Sequence, residues 1–269
     1  MMSKSLIALL FLLCFCLCDD TGIQNTDYLV LVGEDSTVVD QIENTNLLII
    51  DGEYFTRNDL EKLRSRNVKE IYTYFNIGSI ETFRDYYNEY SKYALGDYEN
   101  WPEEKWMDVS KKKWKTFLKR RAQQLKEKGF DGFFIDNADV YDIYRRDDIY
   151  EGIVEVLQYL RDADMKIIIN GGDVFVKRYL KSAPEEQLFD GVNQEDVYTT
   201  YDFETKKCRV NSVETRKYYE DYLDSVVANG YKAYILEYVS NQKTKDQVIA
   251  YARKHHYGYY ISDNIELKL

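Results

Sequence analysis

GFDGFFIDNADVYD, at residues 129–142, joins a short apolar run directly to a group of acidic side chains. The run Phe133, Phe134 and Ile135 predicts a buried strand, and Asp136 and Asn137 follow it immediately. A buried strand that ends in carboxylates delivers them to the rim of a sheet, where burial and neighbouring charges change their pKa values. The alternative is an Asp-rich turn that caps the next helix. The ends of the other strands distinguish the two interpretations.

Short apolar runs recur along the whole chain and alternate with longer amphipathic segments. The predicted strands are residues 28–33, 47–51, 70–76, 132–137, 166–172, 191–196, 232–238 and 257–263. The predicted helices are residues 58–66, 81–93, 111–128, 148–164, 174–181, 213–229 and 244–255, with a weaker helical pattern at 34–46. Nearly continuous apolar runs of this length are typical of parallel strands that are covered on both faces.

Eight strands that alternate with helices predict one α/β domain, a (β/α)8 TIM barrel over residues 19–269. No Pro/Gly-rich linker divides the chain. The alternative is an open doubly wound sheet, which usually carries a Gly-rich phosphate-binding loop after its first strand. The segment Gly33-Glu34-Asp35 is not such a loop. The sequence therefore favours the closed barrel.

Residues 1–18 have the features of a cleaved secretory signal peptide. Lys4 supplies the positive charge, and the apolar run that follows is too short for an ordinary transmembrane helix. Cys16 and Cys18 are small residues that suit a cleavage site before Asp19. We therefore expect a secreted mature protein that makes no contact with a membrane after cleavage.

Cysteine content argues against disulfides and against a zinc site in the mature chain. Three of the four cysteines lie within residues 1–18, which leaves Cys208 alone. A single thiol cannot form an internal disulfide, and no Cys/His cluster of zinc spacing remains. We expect no metal and no cofactor, and our working expectation is a monomer.

The chain is strongly acidic, with a formal net charge of −11. Loss of Lys4 with the leader makes the mature charge one unit more negative. An acidic excess of this size disfavours nucleic acid and anionic membrane surfaces as partners. It suits a neutral or cationic substrate.

Polar side chains end seven of the eight predicted strands. They are Asp51, Asn76, Asp136 with Asn137, Asn170, Glu195 with Asp196, Glu237 with Tyr238, and Asp263. In a TIM barrel the carboxyl ends of the strands carry the chemistry. Such an acidic rim, without a Ser, Cys or His nucleophile motif, fits carboxylate-pair hydrolysis of a glycosidic bond. It also fits an oxygen-ligand site for Mg²⁺ or Ca²⁺.

Aromatic residues near the same rim are suited to sugar binding. Sugar sites use aromatic platforms and amide hydrogen bonds, although each single aromatic residue is also explained by packing. The candidates are Tyr54, Tyr74, Trp101, Trp106, Tyr141 and Tyr238, with the amides of Asn76 and Asn170. The long connection at 93–108 contains both tryptophans and is a candidate substrate-binding loop.

Two long motifs resemble glycoside hydrolase family 114. YFNIGSIETFRDYY at residues 74–87 is similar to the family's third-strand motif, and GFDGFFIDNADVY at 129–141 to its fourth-strand motif. Asn170-Gly171, Gln194-Glu195-Asp196 and Glu237-Tyr238 follow in matching order, so the resemblance covers residues 28–263. The resemblance implies a TIM barrel and endo-α-1,4-polygalactosaminidase activity on a galactosamine-containing polysaccharide.

The same resemblance implies roles for individual residues. A related group of hydrolases has an Asp after strand four, an Asn after strand five and a Glu after strand six, which correspond to Asp136, Asn170 and Glu195. We expect Asp136 and Glu195 to form the catalytic pair, with Glu195 as general acid. The residues expected to bind substrate are Asp51, Tyr54, Tyr74, Asn76, Glu81, Arg84, Asn137, Asp139, Tyr141, Asn170, Glu237 and Tyr238.

Other interpretations of these residues stay open at this point. Arg84 and Glu81 have the i,i+3 spacing of a structural ion pair, and Asp139 has the position of a helix cap. His255 and His256 fit a helix C-terminus better than a catalytic site. Two other functions compete with catalysis by a carboxylate pair: a secreted carbohydrate-binding barrel without activity, and a metal-dependent hydrolase that uses the acidic rim.

Overall fold

The computed structural model of the chain describes residues 27–239 and 241–269. The predicted signal peptide, with Cys14, Cys16 and Cys18, lies outside the described residues. Within the described ranges, no helix is long and apolar enough to cross a membrane.

Thirteen strands are present in the part of the chain that the structure describes. In chain order they are β1 (Tyr28–Leu31), β2 (Leu47–Ile50), β3 (Glu70–Asn76), β4 (Ser79–Glu81), β5 (Ala94–Asp97), β6 (Glu104–Met107), β7 (Gly132–Asp136), β8 (Lys166–Asn170), β9 (Gly191–Glu195), β10 (Thr199–Asp202), β11 (Lys207–Val210), β12 (Lys232–Tyr238) and β13 (Gly258–Ser262). Eight of them form one parallel sheet in the order β1-β2-β3-β7-β8-β9-β12-β13. The end strands β1 and β13 contact each other and bring the sheet round into a nearly closed barrel.

Helices connect the barrel strands on the outside. They are α1 (Arg57–Ser65), α2 (Tyr87–Tyr90), α3 (Lys112–Lys128), α4 (Val140–Tyr144), α5 (Asp147–Asp162), α6 (Asp173–Lys181), α7 (Val213–Ala228) and α8 (Gln242–His255), with 3-10 helices at Ser36–Gln41 and Ser91–Tyr93. The barrel predicted from the sequence is therefore confirmed, with all eight strands in the predicted runs. The histidines lie as expected, since His255 ends α8 and His256 is its C-cap residue.

Two segments differ from the prediction. The helix predicted at 81–93 was wrong for its first half, because Glu81 ends strand β4, which pairs antiparallel with β6. Strands β4, β6 and β5 form a separate three-stranded sheet, in which β5 and β6 belong to the long connection at 93–108. The second unpredicted feature is the β10–β11 hairpin after β9. The three-stranded sheet and the hairpin both form by pairing between residues that are distant in sequence or lie in loops. The periodicity of apolar residues does not predict such pairing.

The core has two layers, and the alternation of side chains along each strand separates them. The larger cluster packs the barrel strands against the helices. For example, α3 buries Trp114, Phe117, Leu118, Ala122 and Leu125 on one face. The smaller cluster fills the barrel interior with Tyr28, Val30, Ile49, Phe134, Ile168 and Leu236 among others. The next residues along these inward rows reach the carboxyl-end rim.

Two glycines occupy backbone positions that a side chain would disturb. Gly129 ends α3 in the left-handed conformation (φ 114°), where only a residue without Cβ is free of strain. At Gly78, a Cβ atom would lie 1.7 Å from the backbone oxygen of Asn137. The β3–β4 turn can therefore pack directly on the residue after Asp136.

Candidate active site

A cavity of about 830 Å³ opens at the carboxyl ends of the barrel strands. Eleven of the predicted site residues line it: Asp51, Tyr54, Tyr74, Glu81, Arg84, Asp136, Asn137, Asp139, Asn170, Glu195 and Tyr238. This is the rim at which TIM barrels carry their active sites.

At the centre of the cavity, one amide group lies between two carboxyl groups. The Asn170 Nδ2 atom donates hydrogen bonds to Asp136 Oδ1 over 2.9 Å and to Glu195 Oε1 over 2.8 Å. The strands β7, β8 and β9 are neighbours in the sheet, so consecutive strands deliver the three side chains to the same place. Since a single nitrogen contacts both oxygens, those oxygens are less than two hydrogen-bond lengths apart.

Two tyrosines complete the shell around this pair. Tyr74 donates to Asp136 Oδ2 over 2.9 Å, and Tyr238 donates to Glu195 Oε2 over 2.7 Å. Asn137 Nδ2 gives Asp136 a third donor at 3.2 Å. Each carboxyl group is therefore held from more than one side.

Burial and hydrogen bonding act in opposite directions on this pair. Burial is the largest effect, and together with the nearby Glu195 charge it raises the pKa of Asp136 to about 6. Burial also raises the pKa of Glu195, although the hydrogen bonds from Tyr238 and Asn170 lower it. Two carboxyl groups this close titrate as a pair. Burial therefore lets the pair keep a proton to higher pH than two exposed carboxyl groups would, and catalysis by two carboxylates requires one group with a proton and one without.

Backbone corners place these side chains at the rim. The residues directly after Asp136, Asn170 and Glu195 are Asn137, Gly171 and Asp196, and all three have positive φ values of 62°, 62° and 57°. Gly, Asn and Asp are the residues that tolerate this conformation best. The backbone therefore turns sharply at the end of each of these three strands, and the last side chain of each strand faces the cavity.

Asp139 supports the neighbouring corner and does not act as a helix cap. Its Oδ1 atom accepts a hydrogen bond from the Gly172 N–H over 3.0 Å, whereas its side chain makes no capping bond to α4. Burial, and to a smaller extent the Asp136 charge, raises the pKa of Asp139 to about 7. It lines the cavity, so it can also contact a ligand there.

Asp51, Glu81 and Arg84 form a buried ion-pair network in the cavity wall. Arg84 contacts Asp51 Oδ2 and Glu81 Oε1, each at 2.9 Å. The i,i+3 ion pair considered from the sequence is therefore present, and Asp51 adds a second partner. Since both of its acids are bound to one cation, this network braces β2 against β4.

Three predicted site residues do not line the cavity. Glu237 lies between the inward-facing Leu236 and Tyr238, so its side chain points out of the barrel and accepts hydrogen bonds from Tyr198 and Thr199. Asn76 closes the β3–β4 turn through two hydrogen bonds with Ser79. Tyr141 accepts a hydrogen bond from Arg178 of α6. All three contribute to the scaffold of the rim.

The 93–108 connection contributes a wall of the cavity, as expected, and one of its two predicted tryptophans takes part. Trp101 is 41% exposed and lines the cavity, whereas Trp106 is buried and stacks on Tyr98 at 4.1 Å. Trp101 also contacts Phe203 of the β10–β11 turn at 5.4 Å. The two excursions from the barrel therefore meet beside the cavity.

Glu104, Tyr98 and Phe83 also line the cavity, although they are not among the site residues predicted from the sequence. Glu104 accepts a hydrogen bond from Ser79 over 2.5 Å, and burial raises its pKa to about 7. Phe83 is 59% exposed and follows β4, where the sequence predicted a helix at 81–93. The available signal was the position of Tyr98 and Glu104 in a loop already expected at the active rim.

No group of three or more His, Cys, Asp or Glu side chains within the described ranges is arranged to hold a metal ion.

The buried acids predict that the protein is more stable at pH 5 than at pH 8. Burial raises the pKa values of Asp136 to about 6 and of Glu104, Asp139, Asp196 and Glu237 to about 7. The folded state thus binds protons more tightly than the unfolded state, whose carboxyl groups have pKa values of about 4. The free energy of unfolding therefore falls as pH rises from the unfolded-state to the folded-state pKa values. Each unit of raised pKa corresponds to about 1.4 kcal/mol.

Urea unfolding at pH 5, 6, 7 and 8 measures this decline. Asp139→Asn should make the decline smaller. Asp148→Asn should leave it unchanged, because the hydrogen bond from Arg146 lowers the pKa of Asp148 and keeps it ionised across this range. A free energy of unfolding that is constant or rises from pH 5 to pH 8 contradicts the prediction.

Comparison with known proteins agrees with this architecture. In solved structures, the chain is similar to the glycoside hydrolase domain of PelA from Pseudomonas aeruginosa (TM-score 0.74, 16% identity, 91% of this chain and 96% of that chain). It is also similar to Aspergillus fumigatus Ega3 in complex with galactosamine (TM-score 0.70, 18% identity, 91% and 93%). At these identities the similarity concerns the fold.

Sequence comparison defines the family. A search of curated protein sequences found no significant match. The family model "Glycoside-hydrolase family GH114" matches residues 22–265, which is nearly the whole chain. The chain therefore belongs to glycoside hydrolase family GH114 and is a glycoside hydrolase.

Proposed function

We propose that this enzyme hydrolyses α-1,4-glycosidic bonds within galactosamine-containing polysaccharides, with Asp136 and Glu195 as the catalytic pair. The observation that carries the proposal is the pair itself, held on both sides of the Asn170 amide at the cavity centre. The bound galactosamine in the Ega3 structure supports the choice of sugar. The signal-peptide-like residues 1–18 support export of the enzyme to an extracellular polymer.

The hydrogen bonds favour different roles for the two carboxyl groups. Asp136 accepts from three donors, which stabilise its ionised form and suit a nucleophile. Glu195 accepts from two, so fewer donors stabilise its ionised form, and we assign it as the general acid. Glu195 would protonate the glycosidic oxygen while Asp136 attacks the anomeric carbon. Glu195 would then take a proton from the water that releases the sugar from Asp136.

The charge of the cavity favours a cationic sugar chain. Nine carboxyl groups line it, and Arg84 is the one cation among its described lining residues. Both contacts of Arg84 to acids are already made within the wall, so it leaves most of the negative charge unbalanced. A polymer of non-acetylated galactosamine carries one ammonium group per residue, and the field of the cavity would concentrate it.

We expect Asp136→Asn and Glu195→Gln each to lower kcat on a galactosamine polymer by about 10³-fold or more, because each removes one proton-transfer or nucleophilic group. Product sizing after fixed times measures the rate. Asp142→Asn is the matched control: it lies in the same connection after β7, is ion-paired with Arg145 at the surface, and should cleave at the wild-type rate.

Wild-type rates in both catalytic variants would remove the pair from the mechanism. Binding of the polymer without turnover by the wild-type protein would favour the carbohydrate-binding alternative. Loss of turnover after exhaustive chelation would favour the metal-dependent one.

The closeness of the pair predicts retention of anomeric configuration. Retaining enzymes have carboxyl groups about 5–5.5 Å apart, and inverting enzymes about 6.5–9.5 Å. Oxygens that share one hydrogen-bond donor fit the shorter separation. Proton NMR of the first reducing ends formed should show the α-anomer before mutarotation. Initial release of the β-anomer would show inversion and contradict the nucleophilic role of Asp136.

The acidic cavity also predicts a salt dependence that follows substrate charge. For the non-acetylated polymer, kcat/KM should fall as ionic strength rises, because salt screens its attraction to the cavity. The N-acetylated polymer is neutral and serves as the matched control, whose kcat/KM should change little. Equal salt dependence for the two polymers would show that the cavity charge does not select the substrate.

A further inference from the structure

Behind Asn170, two more polar side chains continue into the barrel. Asn193 Nδ2 donates to Asn170 Oδ1 over 2.7 Å, and the Tyr28 hydroxyl donates to Asn193 Oδ1 over 3.0 Å. Asn170 and Asn193 are direct partners in the β8–β9 register. Tyr28 comes from β1, 165 residues away in sequence.

Both side chains lie where an apolar residue would be expected. Asn193 is 0% exposed and Tyr28 is 1% exposed. The interior cluster around Tyr28 consists of residues such as Val30, Ile168 and Leu236. A buried polar group in such surroundings is tolerated only when its hydrogen bonds are made. Here the bonds form one continuous chain that leads to the carboxyl pair.

The hydrogen bonds in this series all run in one direction, from the Tyr28 hydroxyl toward the two carboxyl groups. An ionised carboxylate only accepts, so the Asn170 atom between Asp136 and Glu195 must be the nitrogen. Its oxygen then requires a donor, which is the Asn193 nitrogen, and the Asn193 oxygen in turn requires the Tyr28 hydroxyl. If the Asn170 amide turned over, its oxygen would face two carboxyl groups.

We propose that Tyr28 and Asn193 are positioning residues that hold the Asn170 amide in the orientation that donates to both Asp136 and Glu195. The proposal rests on the function proposed above. In this arrangement, a tyrosine on the opposite wall of the barrel determines which way the Asn170 amide faces. Neither residue contacts the cavity, so neither acts on the substrate directly.

The proposal has a consequence for ionisation, because the Asn170 hydrogen bonds lower the pKa values of both carboxyl groups. We call the Tyr28–Asn193–Asn170 series of hydrogen bonds the relay. Other titratable groups also face the Asp136–Glu195 pair, and they stay in place when a relay residue is replaced. They are Tyr74, Tyr98, Glu104, Asp139, Asp196 and Tyr238. Loss of the relay should therefore raise the pKa values of Asp136 and Glu195 further.

The test compares Tyr28→Phe and Asn193→Leu with Tyr222→Phe. Tyr222 is also buried, but its hydroxyl has no hydrogen-bond partner among the described residues, so its removal breaks no hydrogen bond seen in the structure. Tyr28→Phe should lower kcat about tenfold, less than the roughly 10²-fold loss typical of a direct donor. KM should stay near the wild-type value, and the acidic limb of the pH–kcat profile should move to higher pH. Asn193→Leu should show the same changes in larger degree, and Tyr222→Phe none.

A measurement without substrate separates this proposal from the proposed function. Carbon-13 NMR of the side-chain carboxyl groups in the folded proteins reports the pKa values of Asp136 and Glu195 directly. An upward shift in Tyr28→Phe, absent from Tyr222→Phe, supports the relay even if the polymer is not the substrate. Unchanged carboxyl pKa values and an unchanged pH–kcat profile in Tyr28→Phe overturn it. A loss of kcat that Tyr222→Phe shares also overturns it.

Discussion

One amide group between two buried carboxyl groups is the constraint on which this active site depends. Burial raises the pKa values of Asp136 and Glu195, and two negative charges at this distance repel each other. Asn170 offers each of them a donor, and Tyr74 and Tyr238 each offer another. These hydrogen bonds offset part of the cost of burying two carboxyl groups side by side.

The rest of the rim uses acids for support as well as for chemistry. Glu237 anchors the start of the β10–β11 hairpin, and Asp51 helps to hold Arg84 in the wall. Asp139 fixes the loop after β8. These side chains have the same chemistry as the proposed catalytic pair, and their hydrogen-bond partners distinguish them. An acid that accepts hydrogen bonds from backbone N–H groups or pairs with an arginine has a structural role.

Two excursions from the barrel give the open rim its depth. The β4–β6 sheet carries Glu104 and Trp101 to the cavity, and the β10–β11 turn meets Trp101 through Phe203. Left-handed corners at Asn137, Gly171 and Asp196 let three neighbouring strands end abruptly beneath them. The result is a cavity lined by nine carboxyl groups and by aromatic side chains, and the proposed amino-sugar substrate is chosen to match it.

The sequence by itself determined the barrel and the residues at its strand ends, among them Asp136, Asn170 and Glu195. These follow from run length, period and turn residues, which are local properties of the chain. It did not determine which strand-end acid faces inward. Glu237 differs from Tyr238 by a single position, yet the two point to opposite sides of the wall.

Only the tertiary structure decided that Glu104 reaches the cavity and that Tyr28 and Asn193 lie behind Asn170. Antiparallel pairing folds the 93–108 connection back over the rim, and the Tyr28–Asn193 bond closes across the barrel. No local period records such contacts, because they exist only once distant strands are packed side by side.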